Sequence, residues 1–307
     1  MNIISVQNNY NINFKRLNAP KTKPIPYDSF YVSDKNALEI ANLKKKIAPA
    51  IKAGKYGALL NYFGMGVKKD SDGKFIIEEY HQPSTKYTFS DLGIDENKLL
   101  ANVKEITGDA VFTKSNITEF KTLKKIGGNT RFSRTKLTSL GSIEEIGGNV
   151  HFFSSKINDL GNLRQIGGSA RFGESQITDL KNLEVIKGNA SFSNSKVQKS
   201  GKLREIGGSA FFCDSKVKNL SNLELIGGNA DFSYSEIIDT GKLKEIRGDV
   251  RFTDSKIKSL GNITYIDGDL DISYSNIYDI SSLKRLRGKI IYENSPLKME
   301  DVAKFIN

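Results

Sequence analysis

Cysteine occurs once in the 307 residues, as Cys213, so no intrachain disulfide can form and the fold cannot depend on oxidation. Histidine occurs twice, as His81 and His151, in different regions, and neither makes a metal-spaced pair with the cysteine. No run of eighteen apolar residues exists, which excludes a transmembrane helix. The opening MNIISVQNNYNINFKRLNAP has no continuous apolar stretch behind a basic start, so a standard secretory signal is not expected. The default expectation is a cytoplasmic chain, with export through a route that reads other signals left open. Proline is missing between Pro83 and Pro296. Each proline would delete an amide donor, so this long gap suits continuous backbone pairing. Charge is not segregated either. The net charge is +11, with 15 basic and 10 acidic side chains in the first hundred residues and 31 and 25 in the rest. No block of the kind that marks a nucleic-acid arm is present.

What is abundant is repetition. Gly108, Gly128, Gly148, Gly168, Gly188, Gly208, Gly228, Gly248, Gly268 and Gly288 recur every twenty residues without an insertion. A fixed period of this length is the signature of a solenoid, in which each coil stacks only on its neighbours. The low hydrophobic content, 38%, fits a thin rod with much surface per residue. The expected fold is mainly β: a right-handed parallel β-solenoid of ten 20-residue coils over residues 106–297, with a small α+β domain before it and a helical cap at each end.

Ahead of the repeats, residues 1–32 are Asn-rich and carry Pro20, Pro24 and Pro26, which predicts a flexible leader. Residues 33–89 predict the small domain. Ser33 is a candidate N-cap, and Ile40, Leu43, Ile47 and Ile51 have helical spacing. Pro49 is expected to kink or restart that helix, with further helical turns from Tyr56 to Phe63. Residues 66–80 read as a hairpin turning at Asp72-Gly73. Asp70 and Asp72 hint at a calcium loop but lack the downstream acidic ligand. Residues 90–105 predict an N-terminal cap helix, with Leu99, Leu100 and Val103 on one face, and residues 298–307 its C-terminal counterpart, with Val302, Phe305 and Ile306 inward.

Within one coil, LKKIGGNTRFSRTKLTSL (123–140), apolar residues fall at Leu123, Ile126, Phe132, Leu137 and Leu140, with Thr130 in phase with the Phe. Those unequal steps fit neither a helix nor one long strand; residues 128–133 alternate and predict a short strand. Stacked coils turn each inward position into a ladder, notably Phe112 to Phe252 beside a column of small residues such as Ala170 and Ala190. A hydroxyl in every coil, from Ser115 through Thr135 to Ser295, is read as bonding backbone at the bend, not as a catalytic serine. The recurrent glycine needs either positive φ or a close backbone approach. Ser200 and Thr240 break the Leu column of Leu140, Leu160, Leu180, Leu220 and Leu260, which predicts a looser core or a bend.

The copies LKKIGGNTRFSRTKLTSLGS and LRQIGGSARFGESQITDLKN resemble leucine-rich repeats, with Ser where most such repeats carry Asn. The phrase Leu-x-x-Ile-x-Gly-x-Val/Ala-x-Phe is similar to the L domains of growth-factor-receptor ectodomains, and related repeats occur in uncharacterised bacterial and phage proteins. The resemblance covers roughly residues 101–297. It implies ligand or protein recognition on the strand face, no enzyme activity and no cofactor, and it carries over no individual binding residue. The cysteines typical of receptor ectodomains and a second L domain are missing.

Function on a solenoid is sought at outward positions. One outward column reads Arg131, His151, Arg171, Ser191, Phe211, Asp231, Arg251, Asp271; beside it lie Phe153 and Cys213, then Tyr234 and Tyr274. Arginines beside aromatics are what a recognition face presents, so the candidate binding face is Arg131, His151, Phe153, Arg171, Phe211, Tyr234, Arg251 and Tyr274. A second candidate is a basic stripe, Lys136, Lys156, Lys196, Lys216 and Lys256, suited to an acidic partner. The leading expectation is a non-catalytic scaffold for a protein partner. The alternatives are a basic rod binding nucleic acid or an anionic glycan, and a targeting module for an effector domain in residues 33–89. No catalytic residue and no metal site are expected.

Overall fold

In the computed structural model, residues 34–305 are described; Ser33, the leader and Ile306 lie outside them. The repeats form a parallel β-solenoid with two sheets. Each coil contributes a two-residue strand to a twelve-stranded sheet, as at Lys125–Ile126, and another to a ten-stranded sheet, as at Thr130–Arg131. Register is strict: Ile126 pairs with Ile146, and Thr130 with Val150. Nine complete 20-residue turns separate Ile106 from Leu286 along the first sheet.

Seven residues of each coil point inward. In the coil from Leu123 to Leu140 these are Leu123, Ile126, Thr130, Phe132, Thr135, Leu137 and Leu140, each buried. The rings from Phe112 to Phe252 form one stack, with centroids 4.7 Å apart at Phe192–Phe212 and 5.7 Å at Phe132–Phe152. Burying each ring contributes on the order of 2–3 kcal/mol. The hydroxyl beneath the bend bonds backbone where it can: Thr135 Oγ1 accepts from Leu137 N at 2.7 Å, and Ser235 Oγ donates to Phe232 O at 2.6 Å. Others in the column, Ser155, Ser175, Ser215 and Ser255, are buried without a partner.

Of the two requirements open to the recurrent glycine, close approach is the operative one. A Cβ on Gly168 would lie 2.6 Å from Asn149 N and from the Gly148 carbonyl carbon of the preceding coil. Positive φ belongs to two other columns. One is Gly141, Gly161, Gly201, Gly241 and Gly261, with Lys181 and Ser221 in the same column. The other runs from Lys114 to Asn294 and contains no glycine, with φ between 51° and 61° in all ten coils.

Next to the recurrent glycine runs a side-chain ladder that the sequence reading did not anticipate. Asn129 N donates to Asp109 Oδ1 (2.6 Å), Asn149 N to Asn129 Oδ1 (2.9 Å) and Ser169 N to Asn149 Oδ1 (2.7 Å). The pattern continues to Lys289 N on Asp269 Oδ1 (3.0 Å). Each side chain thus satisfies an amide of the next coil that the sheets leave over.

At Ser200 and Thr240, where the sequence predicts a looser core or a bend, the sheets keep their register. Lys199 bridges both Asp179 and Asn219, and the sheets continue through both coils. The hydroxyls are simply buried: Ser200 has no partner, whereas Thr240 Oγ1 donates to Leu260 O at 3.1 Å.

At the N-terminal end, a helix runs uninterrupted through Pro49, from Asp34 to Lys52, and a second spans Tyr56–Tyr62. The hairpin forms at Val67–Lys69 and Phe75–Ile77. Asp70 Oδ1 accepts from Asp72 N and Lys74 N, both at 2.9 Å, and Oδ2 accepts from Lys104 Nζ at 2.9 Å, so Asp70 builds the turn. The helix expected over 90–105 is confined to Glu96–Leu100, capped by Asp95. Val103–Ile106 is instead the first repeat strand, and the hairpin strand pairs in parallel with it. Tyr80 bridges Ala110 and stacks on Phe112 at 4.8 Å, so it starts the ring stack. Buried Glu96 closes this end, accepting from Tyr80 Oη (2.6 Å), Gln82 Nε2 (2.8 Å), Ser115 Oγ (2.7 Å) and Asn116 N (2.7 Å). At the other end a short helix, Met299–Val302, and a 3-10 turn, Ala303–Phe305, follow the last strand, with Val302 buried.

Candidate recognition face

The outward column of the ten-stranded sheet is one continuous line of neighbours. Arg131 pairs with His151, His151 with Arg171, Arg171 with Ser191, Ser191 with Phe211, Phe211 with Asp231, Asp231 with Arg251 and Arg251 with Asp271. The strand alternation that buries Phe132 and Phe152 turns these side chains out. Arg131 and Arg171 are exposed, and His151 is half-buried between them.

The two halves of the column differ electrostatically. Burial first, then the Arg171 and Arg131 charges, push His151 down to about 4, so its ring is neutral at pH 7. The flanking positions over these coils are Asn129, Asn149 and Ser169 on one side and Ser133, Phe153 and Gly173 on the other, none of them acidic. Further along, Arg251 lies 3.7 Å from Asp271. The N-terminal half is cationic, and the C-terminal half, with Asp231 and Asp271 against Arg251, is mixed with one net negative charge.

Comparison with protein-family models, curated proteins and solved structures finds no match.

Phe153 stands one column over from His151 and is 45% exposed. Phe211 is half-buried in the strand column. Tyr234 and Tyr274 lie on the left-handed turn after the strand, 58% and 51% exposed, so they form an edge beside the strand face. Cys213 Sγ donates to Asp214 Oδ2 at 3.4 Å. Burial and that carboxylate push its thiol up to about 11, so it is not a thiolate at neutral pH. His81 approaches the Gln82 carbonyl at 2.7 Å and Glu79 at 3.8 Å, on the cap segment.

Lys136, Lys156, Lys196, Lys216 and Lys256 occupy one exposed column, but Gln176 and Glu236 interrupt it. Lys196 Nζ donates to Gln176 Oε1 at 2.6 Å. In the column just before the first sheet's strands the outward letters alternate in sign, as in Lys124, Glu144, Arg164 and Glu184, and Lys124 and Glu144 pair at 2.7 Å. Such exposed pairs contribute at most about 1 kcal/mol and neutralise that face.

Proposed function

We propose that this protein is a non-catalytic recognition scaffold that binds an acidic surface of a protein partner through the N-terminal half of the ten-stranded sheet face. A parallel solenoid suits such a role, because stacked coils present one long, rigid face. The observation that carries the reading is the stack Arg131–His151–Arg171, held one coil apart in register. Arg131 and Arg171 stand two coils apart with the neutral His151 ring between them, and no acidic side chain lies in the adjoining columns, so both cations face outward toward an acidic partner. Phe153 supplies an exposed apolar anchor beside them, and arginine with an aromatic is the composition of binding hot spots. The resemblance of the coils to leucine-rich repeats of the L-domain kind supports the same role.

The reading is tested with a labelled poly-glutamate peptide. The variant R131S/F153S/R171S uses a residue already present in those columns at Ser191 and Ser133. It is expected to lose at least about tenfold in affinity, roughly 1.4 kcal/mol, with an unchanged unfolding midpoint. Equal affinity in the variant would remove the face from the account. Tighter binding of an oligo-dT strand or heparin than of the peptide, with steep salt dependence, would favour the basic-rod alternative built on the Lys136 column.

A further inference from the structure

Two coils near the C-terminal end repeat one another more closely than they repeat the coil between them. DFSYSEIID (231–239) and DISYSNIYD (271–279) share Asp, Ser, Tyr, Ser, Ile and Asp at equivalent positions, whereas the intervening coil reads RFTDSKIKS (251–259). Their local structures are duplicates as well. Ser233 N donates to Asp231 Oδ1, and Ser273 N to Asp271 Oδ1, both at 3.0 Å. Ser235 Oγ donates to Phe232 O at 2.6 Å and Ser275 Oγ to Ile272 O at 2.7 Å. Tyr234 N and Tyr274 N each donate to the next coil, to Thr253 O at 3.0 Å and Glu293 O at 2.8 Å.

The two tyrosines are costly for folding. Both have φ of 56°, in the left-handed region that Asn and Asp tolerate and bulky side chains resist. The other eight coils place Lys114, Arg134, Ser154, Glu174, Asn194, Asp214, Asp254 and Asn294 there. Two aromatic rings at one turn position, each more than half exposed, present a repeated apolar surface that a partner can cover. Ile238 and Tyr278, four residues on in the same two coils, are 60% and 59% exposed and extend the apolar edge.

Spacing and charge define the occupant. The Phe232 and Phe252 rings are 4.9 Å apart, and at that sheet spacing the two coil steps from Tyr234 to Tyr274 span roughly 10 Å. One turn of a polyproline II helix, three residues, advances about 9.3 Å. Same-face side chains of an extended strand recur at about 6.7 Å and miss that interval. A helix matches at seven residues, about 10.5 Å, but its apolar stripe would press on Asp254 and Lys258 between the rings. The surrounding side chains are acidic in excess, with Asp231, Glu236, Asp254, Asp271 and Glu293, the last 3.4 Å from Tyr274 Oη, against Arg251, Lys256 and Lys258.

We propose that the Tyr234–Tyr274 edge docks a proline-rich segment of a partner in polyproline II conformation, with proline at every third position and lysine or arginine among the intervening residues. The proposal rests on the scaffold reading above but uses the opposite end of the rod.

The test is fluorescence anisotropy with a labelled peptide of repeated Pro-Ala-Lys triplets. Controls are the same peptide with alanine for proline, and cellohexaose as competitor. The variant Y234N/Y274N installs the residue found at Asn194 and Asn294. The expected result is saturable binding by the native chain and at least about tenfold weaker binding by the variant and by the alanine peptide. The variant's Tm should equal or exceed the native value, because asparagine accepts this backbone better. Absence of saturable binding, equal affinity of Y234N/Y274N, equal binding of the alanine peptide, or displacement by cellohexaose would each overturn the proposal. R131S/F153S/R171S is run alongside and should keep the proline-peptide affinity. Loss of poly-glutamate binding in that variant, with no proline-peptide binding to the native chain, would reject this inference while leaving the scaffold reading intact.

Discussion

Replacing Gly168 with alanine adds one methyl group where the coils approach most closely. That Cβ would sit 2.6 Å from Asn149 N, 2.6 Å from Asn149 Oδ1 and 2.6 Å from the Gly148 carbonyl carbon. Two of these atoms are backbone held in the corner between the two sheets, so relief requires the coils to separate locally. Separation also stretches the bond from Ser169 N to Asn149 Oδ1, now 2.7 Å, and the one from Gly168 N to Gly148 O, now 3.1 Å. Overpacking costs about 1–3 kcal/mol and weakening a ladder bond about 1 kcal/mol more, so G168A should destabilise by about 2–4 kcal/mol. Gly173, five residues on, is the internal control. Its added Cβ meets only Ser193 O, at 3.3 Å, and its φ is not positive. G173A should change stability by at most about 1 kcal/mol, the tight contact with Ser193 O offsetting the reduced entropy of the unfolded chain. The assay is urea unfolding, read as a midpoint change at constant slope. A G168A midpoint indistinguishable from that of G173A would refute the close-approach argument and, with it, the coil geometry.

Four further outcomes follow from buried polar groups. S200A removes an unpartnered buried hydroxyl and should raise stability by about 1 kcal/mol in the same assay. T240V, which removes a hydroxyl bonded to Leu260 O, should instead lower it by up to about 1 kcal/mol. E96A strands four donors at the N-terminal end and should cost about 3–5 kcal/mol, by analogy with breaking a buried charged network, with E96Q intermediate. Burial, with the Glu96 charge beside it, pushes the Tyr80 phenol well above its usual range. The folded state therefore holds that proton more tightly, so stability is full below about pH 10 and falls as pH rises beyond it; Y80F should blunt that alkaline loss.

Period and inward positions were legible because the core selects one residue class at each of seven places, twenty residues apart. The phenylalanine ladder and the leucine column needed no coordinates. The Asp109-to-Lys289 ladder was written as plainly, as Asn, Ser or Asp behind each glycine, but its meaning depends on an amide twenty residues away. The left-handed column from Lys114 to Asn294 carried no signal, because coil-to-coil pairing imposes the conformation on whatever residue is present. Leu99, Leu100 and Val103 fit a helix by spacing, yet Val103 belongs to the strand that the hairpin recruits, a long-range pairing that no local pattern encodes. On the candidate face, the sequence placed Arg131, His151 and Arg171 in one column. It did not separate the strand line from the turn edge that carries Tyr234 and Tyr274, since that distinction lies in one backbone angle.

His151 offers the most direct test of the scaffold reading, because its ring sits between the two arginines and only one other histidine contributes signals. With its folded pKa lowered to about 4, the unfolded chain takes up a proton between about pH 6.5 and 4 that the folded chain does not, so stability declines across that window as pH falls. The measurement is the pH titration of the His151 ring protons by NMR, with and without saturating poly-glutamate. The account predicts a midpoint near 4 in the free protein and an upward move of about 1 pH unit or more with the peptide, as carboxylates reach the arginines. A His151 titration unchanged by the peptide, or a free midpoint near 6.5, would contradict it.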